Sequence, residues 1–478
     1  MADTFIYPKY LPKCWLAVID KYWYPKLPND YPETDTIFDF VQGEDKAAVI
    51  DMENNLNTEN SIISSEDIPE KEAVGAYLGT FEVNAEPGET ALISPNKLPD
   101  NAVGALAYHY DSEENTWTLI DSVEIQDGYV YATLEEFSPI AVFALTKAPY
   151  IIETETELPN QPGNTLVCNG IPTKVYLKND KIIAQVGGIE IELQEGDSII
   201  GGSADGTDVK STNLAILDGV KLNYVIGGSW VTSIESKNHT ENIKVIAKNA
   251  TIGILTGAGI WNCADLVDIS IDNCVIERGM GSQMAFFERR SSNKTLEDSD
   301  KGLGANQWVK KAIVKAKNST IEVLYAGGSN GMCTTLDAEM EVENCKCEYL
   351  CNGQSNGTIY NVKSTVSGTE VTYFNNNNRG HYGDGKVIFN GGNVIENGFV
   401  FCDNDPNVNM ADVRGKIYID INATDKFDSF TTGSISNEEV TDADTAAKYI
   451  DAIKISRSAD VVYTRNADVI LKDIIRIK

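Results

Sequence analysis

The sequence predicts an all-β protein whose larger part is a parallel β-solenoid. The first observation is a repeat in the second half of the 478-residue chain, in which a strand is followed by an Asn or Gly and a shorter strand. The second observation is the spacing, since successive units lie 23 to 26 residues apart with one exception. Such a period in a β-rich sequence is typical of solenoids, where each repeat forms one rung.

Four Asn and two Gly residues occupy one column of this repeat. Asn tolerates the left-handed backbone and can hydrogen-bond to its equivalents in neighbouring rungs, and Gly meets the same steric demand. We therefore interpret the column as a structural ladder at one corner of the rungs. The column consists of Asn249, Asn273, Asn318, Asn344, Gly368 and Gly391.

Apolar residues alternate with polar residues within each unit, as at Ile243, Val245 and Ala247. Alternate side chains of a strand lie on the same face, so one face of each strand is expected to point into a core. Neighbouring rungs should then stack about 4.8 Å apart. We predict this solenoid over residues 165–435.

Residues 1–65 are predicted to be an irregular docking arm because they are rich in both aromatic residues and Pro. Pro interrupts helices and β-ladders, whereas aromatic side chains are favoured anchors at protein interfaces. We expect Trp15, Tyr22, Trp23 and Tyr24 to pack against a neighbouring subunit. The alternative is packing on the next domain of the same chain.

Residues 66–148 predict a compact β-sandwich. Five short alternating segments recur at regular spacing, which favours a sandwich of short strands. Asp127-Gly128, between two of them, is a strong signal for a hairpin. The expected strands are residues 77–83, 105–110, 116–120, 129–134 and 140–145.

Two further segments complete the predicted order of the chain. Residues 149–164 are acidic, are bracketed by Pro and predict a linker. Residues 436–478 predict a C-terminal cap that opens with a helical pattern at 442–453. A solenoid needs such a cap because the exposed ladder of its last rung can pair with other chains.

The chain is strongly acidic, with 71 Asp and Glu against 39 Lys and Arg and a net charge of −32. Such a surface repels nucleic acid and anionic lipid, so we expect neither as a partner. No segment approaches the roughly 18 to 20 apolar residues of a membrane span. The N-terminal residues also lack the pattern of a secretory signal, so we expect synthesis in the cytoplasm without membrane insertion.

Nine cysteines, an odd number without a dense framework, favour reduced thiols. Cys345, Cys347 and Cys351 are close enough in sequence to suggest a metal site. However, Cys345 and Cys347 lie on one face of a predicted strand, which is typical of small core residues. We predict that these thiols hold no metal and that the protein needs no cofactor.

The exception in the spacing, 45 residues between Asn273 and Asn318, marks an insertion near residues 284–305. Long loops on rigid scaffolds often carry function. This loop combines aromatic residues, carboxylates and Arg, as glycan sites do, but it fixes no carboxylate pair at the ~5 to 10 Å that glycosidases need. A solvated loop or a subunit contact is the alternative. The candidate ligand-binding residues are Phe286, Phe287, Glu288, Arg289, Arg290 and Trp308, and no catalytic residue is assigned.

A second polar segment, residues 375–385, carries His381 and Asp384. His can act as a general base near neutral pH. The four Asn and three Gly residues of the segment nevertheless predict a turn region.

Two resemblances follow from these patterns. The run A-Y-H-Y-D-x-E-x-x-T-W-T, then D-G-Y-V-x-A-T and E-E-F-S-P-I-A-V-F, resembles the immunoglobulin-like modules of bacterial surface proteins and phage virion proteins. Residues 165–435 resemble in architecture the right-handed parallel β-helices, which include pectin lyases, polygalacturonases and phage tailspikes. No catalytic motif of the lyases or polygalacturonases maps onto this sequence, which weighs against their chemistry.

The resemblances imply a structural virion protein of a tailed bacteriophage, a head or tail fibre or spike. Its implied partners are capsid or tail proteins bound through the docking arm, a host-surface glycan, and further copies of the chain, with a trimer favoured. The implied location is the virion. The alternatives are a tailspike-type glycan hydrolase or lyase, and a bacterial surface adhesin, which the missing export signal disfavours.

Overall fold

The computed structural model describes most of the chain between residues 76 and 463. The described residues are 76–81, 88, 90–111, 116–120, 123–133, 139–153, 163–187, 189–230, 238–260, 262–282, 308–328, 333–353, 357–375, 381–396, 399–400, 412–413, 417–422, 424–431, 453–457 and 461–463. They form strands and turns without a helix, so the all-β prediction is confirmed. The docking arm predicted at 1–65 lies outside the described residues, as do residues 442–452 of the predicted helical pattern.

The contacts divide the chain into two compact units, one ending at Leu266 and one beginning at Val267. The first unit opens with two antiparallel sheets, of strand order β1-β7-β3-β4 and β2-β6-β5. Their strands are β1 (Ala76–Phe81), β2 (Thr90–Leu92), β3 (Gly104–Asp111), β4 (Thr116–Leu119), β5 (Val123–Gln126), β6 (Tyr129–Thr133) and β7 (Ile140–Leu145). Asp127 and Gly128 join β5 to β6 with φ of 51° and 82°, as the Asp-Gly pair predicts.

These two sheets share one core because each contributes alternate apolar residues to it. Ala105 and Ala107 of one sheet lie in the same buried cluster as Val130 and Ala132 of the other. The side of the first sheet that carries Leu106 faces the strands that follow in the chain. A Cβ atom on Gly187 would lie 2.8 Å from Cδ2 of Leu106, so the backbone there approaches the sheet closely.

The rest of the first unit is built mainly of parallel strands. One sheet has the order β12-β11-β10-β14-β17, with β10, β11 and β12 antiparallel, and another has the order β8-β9-β13-β15-β18. Strand β8, from the segment predicted as a linker, pairs antiparallel with β9. The strands are β8 (Tyr150–Ile152), β9 (Thr165–Val167), β10 (Thr173–Lys178), β11 (Lys181–Val186), β12 (Ile189–Leu193), β13 (Ser198–Ile200), β14 (Val209–Ile216), β15 (Lys221–Ile226), β16 (Ser229–Trp230), β17 (Asn238–Lys248), β18 (Thr251–Thr256) and β19 (Gly259–Ile260).

Strand β20 (Asn262–Asp272) spans the division, and the second unit continues with parallel strands. One sheet runs β22-β24-β26-β28-β32-β34, and in the other β21-β23-β25-β27 lead to β29, β30 and β33. The strands are β21 (Val275–Met280), β22 (Trp308–Lys317), β23 (Thr320–Tyr325), β24 (Cys333–Glu343), β25 (Lys346–Cys351), β26 (Gly357–Ser367), β27 (Glu370–Asn375), β28 (His381–Phe389), β29 (Val394–Ile395), β30 (Phe399–Val400), β31 (Asp412–Val413), β32 (Ile417–Ile421), β33 (Lys426–Thr431), β34 (Ile453–Arg457) and β35 (Val461–Tyr463).

The alternation of apolar and polar residues along the strands determines which side chains are buried. Val314 of β22 pairs with Met340 of β24, and both are buried. The next residue along each strand, Lys315 and Glu341, is exposed. Each such buried aliphatic side chain stabilises the fold by roughly 1.5 to 3 kcal/mol. The sequence alternation therefore predicts the core face of these strands.

Two findings on the strands bear on the sequence predictions. The turn region predicted at 375–385 ends earlier, because β28 already begins at His381 and pairs with β26. The long spacing between Asn273 and Asn318 does not disturb the pairing, since Val275 and Ile276 of β21 pair in register with Thr320 and Ile321 of β23.

Candidate functional site

The predicted ligand loop is represented in the described structure by Trp308 alone. Phe286, Phe287, Glu288, Arg289 and Arg290 lie outside the described residues. Trp308 begins β22 and is half-buried, with the Nζ atom of Lys310 at 5.2 Å from the centre of its ring. The ligand-binding role of this loop stays a prediction.

The predicted anchors of the docking arm, Trp15, Tyr22, Trp23 and Tyr24, also lie outside the described residues. Their role in attachment stays a prediction as well.

The Asn and Gly column lies at the turns between long and short strands. Backbone φ is 51° to 52° at Asn249, Asn273, Asn318 and Asn344, 55° at Gly368 and 104° at Gly391. In the second unit the backbone N–H groups at four of these positions donate to the neighbouring repeat, as from Asn318 to the carbonyl of Glu343 and from Asn344 to that of Ser367, each over 3.0 Å. These positions require the left-handed backbone that Asn and Gly tolerate.

A close contact also explains why position 368 is occupied by Gly. A Cβ atom there would lie 2.7 Å from Oδ1 of Asn344, so the Asn side chain of one repeat fills the space beside the Gly of the next. The two residue types in the column are therefore complementary.

A second, buried polar ladder lies directly behind this corner. The Ser319 hydroxyl accepts a hydrogen bond from the Cys274 N–H at 3.0 Å, and the Thr369 hydroxyl accepts one from the Cys345 N–H at 3.3 Å. Each hydroxyl also donates to a carbonyl two residues earlier in its own rung, at 2.6 and 2.9 Å. A buried N–H without an acceptor is costly, so these side chains satisfy donors that the turn removes from the ladder.

Further along the chain, side-chain amide and carboxylate groups accept the corresponding backbone N–H bonds. Oδ1 of Asn393 accepts the N–H of Thr369 at 3.0 Å, and Oδ1 of Asp425 accepts the N–H of Asn393 at 3.1 Å. Asn393 and Asp425 are both buried. Sequence reasoning missed these acceptors. For Asn393 the available signal was a short polar residue two positions after Gly391, whereas Asp425 lies beyond the column.

The three neighbouring cysteines are buried core residues. Cys347 and Cys351 point inward from β25, and the Cys345 thiol lies 3.3 Å from the carbonyl oxygen of Glu343, to which it donates. Burial raises the pKa of both Cys345 and Cys347, so both are thiols at neutral pH. Among the described residues, no group of three or more His, Cys, Asp and Glu side chains is arranged to hold a metal.

Asp337 is a buried carboxyl group on β24. It is 2% exposed, its Oδ1 accepts a hydrogen bond from Nδ2 of Asn361 at 2.9 Å, and its Oδ2 has no hydrogen-bond partner within the described part of the chain. Burial raises the pKa of Asp337 to about 7. Lys311, beside it in the register, opposes that rise but is bound to Glu339 at 3.1 Å.

Asp337 belongs to a row of polar residues in register across four strands. Its neighbours are Lys311 on β22, Asn361 on β26 and, one strand further, Asp384 on β28. The row became visible only with the register, because its members lie 23 to 26 residues apart among many other polar residues.

His239 and Asp265 form a second pair that sequence reasoning missed. Nε2 of His239 lies 3.2 Å from Oδ1 of Asp265, and both side chains are about one-third exposed. The His239 backbone N–H also donates to Asp208 over 2.9 Å. A carboxylate beside an imidazole orients the ring, as in acid–base pairs.

Two neighbouring strands of the second unit carry tyrosines in register. Tyr349 of β25 pairs in register with Tyr373 of β27, which is 44% exposed. The rings of Tyr325 and Tyr349 are in contact, with centroids 5.9 Å apart. Arg278 lies in the same column, two strands before Tyr349. We call Arg278, Tyr349 and Tyr373 the tyrosine strip.

The first unit carries a surface groove of about 480 Å³. Strand β10 supplies its centre, β11 one wall and the turn after β14 the other. The ring of Tyr176 lies beneath the Nζ atom of Lys174, at 5.9 Å from the ring centre. The groove is lined by Lys174, Tyr176, Leu177, Gln185, Leu217 and Asp218.

Two further findings concern the class of protein. Within the described residues, no helix has the length and apolar character needed to cross a membrane. Comparison with protein-family models, with curated proteins and with solved structures finds no match to this chain.

Proposed function

We propose that the parallel strands of each unit are rungs of a right-handed parallel β-helix and that residues 76–145 form an immunoglobulin-like module. The β-helix is supported by strands that alternate between two sheets and pair in register with the next rung. The module is supported by two antiparallel sheets around one core, to which Ala105 and Ala107 of one sheet and Val130 and Ala132 of the other contribute.

On this fold the protein is a structural, adhesive component of a virion, a head or tail fibre or spike of a tailed bacteriophage. Residues 1–65 anchor it, and the β-helix faces the host surface. The observation that carries the proposal is the interlocking of successive rungs at the corner. Backbone bonds from Asn318 and Asn344, and buried acceptors such as Thr369, bind each rung to the next. A rung so constrained on both sides suits a stiff support for a binding surface.

The tyrosine strip supports an adhesive role. Aromatic residues and Arg are enriched at binding surfaces, where they bury a large area with little loss of side-chain freedom. Tyr373 is 44% exposed and so is open to a partner, and Tyr349, whose hydroxyl is buried, lies beside it on the preceding strand.

A second candidate function, a glycan hydrolase or lyase, is favoured by one observation. Glycosidases use a carboxylic acid that keeps its proton near neutral pH together with a second carboxylate at ~5 to 10 Å. Burial raises the pKa of Asp337 to about 7, and Asp384 belongs to the same row two strands away. The burial of Asp337, at 2% exposure, counts against contact with a substrate.

Incubation of the full chain with host cells and with their purified capsular or wall polysaccharide separates the two candidates. We expect the protein to sediment with the cells and to release neither reducing ends nor unsaturated sugars. Release that Asp337→Asn abolishes, in a variant that still binds the cells, would instead assign the enzyme.

The location in a virion needs a separate test. Antibodies against the chain should label gradient-purified phage particles from lysates of the host strain. Particles that contain no trace of the chain by mass spectrometry would contradict the virion proposal.

A further inference from the structure

We propose that the groove around Tyr176 binds a neutral sugar ring. The inference rests on the adhesive function proposed above and assigns residues and a ligand class to part of it. The groove lies on the outer face of β10 and β11, where the strands run antiparallel and leave the regular repeat.

The Tyr176 ring forms a flat platform. Tyr176 lies on β10, yet its hydroxyl donates to Oε1 of Glu190 on β12 at 3.3 Å. Because β11 lies between these two strands, the side chain must extend across β11 instead of standing upright from the sheet. The ring is therefore held at both ends, and the Nζ atom of Lys174 lies over it, so that the ring and the ammonium group together border the groove.

Donors and acceptors surround this platform. Lys174 pairs directly with Gln185 across the two strands, so both side chains rise on the face that carries Tyr176. Lys174 donates hydrogen bonds, and the Gln185 amide both donates and accepts. The Asp218 carboxylate accepts, and its Oδ1 already takes a bond from Nδ2 of Asn249. Sugar hydroxyls both donate and accept, so this mixed set suits them better than it suits a ligand with only one kind of group.

The charges of the groove favour a neutral ligand. Lys174 and Asp218 carry opposite charges within the lining. Nearby, Lys178 binds both carboxylate oxygens of Glu190, at 2.6 and 2.9 Å, so that pair is already matched. An anionic sugar would meet Asp218, and a cationic one would meet Lys174.

Apolar surface and size agree with the same ligand. Leu177, which is 42% exposed, and Leu217 line the groove beside the Tyr176 ring. The C–H faces of a pyranose are apolar and can pack on such side chains while its hydroxyls stay at the rim. The groove volume of about 480 Å³ lies within the roughly 300 to 1,000 Å³ of small-molecule sites.

The test titrates the full chain with the methyl glycosides of glucose, galactose and N-acetylglucosamine, followed by NMR, with glucuronate as the anionic comparison. We expect at least one neutral glycoside to bind with a Kd on the order of 1 mM, and glucuronate to bind more weakly. Tyr176→Ala should weaken binding about tenfold or more, because it removes the aromatic platform.

Two variants make the test specific. Gln185→Leu removes polar groups and keeps the bulk of the side chain, so it should also weaken binding. Tyr129→Ala is the matched control, since Tyr129 also lies beneath a lysine, with Nζ of Lys97 at 5.5 Å from its ring, but in the antiparallel module. It should bind as the unaltered chain does. Melting curves identify any variant that fails to fold.

The outcomes separate the groove from the wider function. The groove proposal is overturned if no neutral glycoside binds, if glucuronate binds best, or if folded Tyr176→Ala and Gln185→Leu variants both bind normally. Sedimentation with host cells is measured in parallel. If the chain binds cells but no glycoside, the groove proposal is wrong and the adhesive function is supported. If it binds glycosides but no host cells, the groove proposal is supported and the adhesive function is wrong.

Discussion

Replacing Asp337 by Asn is expected to stabilise the folded protein at neutral and alkaline pH. The carboxyl is 2% exposed, and one of its oxygens is bonded to Asn361. Burial raises the pKa of Asp337 from the ordinary 3.8 to about 7, so the folded protein favours the protonated side chain. Asn carries no charge at any pH and keeps the oxygen that accepts the bond from Asn361.

The sign and size of the effect follow from proton linkage. Because the pKa is raised by folding, the folded state binds more protons than the unfolded state between about pH 4 and pH 7, and stability falls as pH rises through this range. Each unit of pKa corresponds to about 1.4 kcal/mol, so a rise of three units amounts to about 4 kcal/mol above pH 7. Asp337→Asn should gain up to that amount at pH 8 and almost nothing at pH 4.

The assay is the thermal midpoint of both proteins, measured by circular dichroism from pH 4 to pH 8. Glu341→Gln is the matched control, because Glu341 is exposed on the same strand. Its midpoint should follow the unaltered chain at every pH. An Asp337→Asn gain that is the same at pH 4 and pH 8, or a loss at pH 8, would refute the argument from the buried carboxylate.

Four further predictions concern the corner, the arm and the thiols. Thr369→Val removes the acceptor for the Cys345 N–H and should lower the free energy of unfolding by about 1 to 3 kcal/mol in urea titrations, whereas Thr365→Val on β26 should not. Gly368→Ala should lower the thermal midpoint more than Gly196→Ala does, because both have positive φ but only at 368 would the new Cβ meet Asn344; equal losses would count against the stacking. Deletion of residues 1–60 should leave a folded chain that fails to join phage particles. Normal incorporation of the truncated chain would show that the arm is not needed for attachment. Elemental analysis of the purified chain should find no stoichiometric zinc, and the buried Cys345 and Cys347 should react with thiol reagents only after denaturation.

The sequence predicts the parts of the fold that repeat. The turns at Asn318, Asn344 and Gly368 follow from their spacing, because the left-handed backbone narrows the choice of residue at each turn. The acceptors behind them are harder to predict. Ser319 and Thr369 look like ordinary polar residues in the sequence, and only the strand register shows that each faces an N–H of the neighbouring repeat.

The groove illustrates what a repeat cannot predict. Tyr176 and Glu190 meet because β10, β11 and β12 form an antiparallel extension outside the period, where the spacing of the rungs carries no information. The burial of Asp337 is likewise not predictable from the sequence. It depends on the residues that cover the polar row of Asp337 and not on the alternation along β24. The loop residues from Phe286 to Arg290 lie outside the described residues, so their role stays a prediction.

The undisturbed pairing of β21 with β23 has a consequence for how such a chain can diversify. Val275 and Thr320 are direct partners although the chain between them is about twice as long as in the other rungs. The turn after β21 thus accepts a change of length without any adjustment of the strands on either side. A foreign peptide grafted in place of residues 283–307 should therefore leave the pairing of β21 with β23 unchanged, and the melting curve of the grafted chain should match that of the unaltered one.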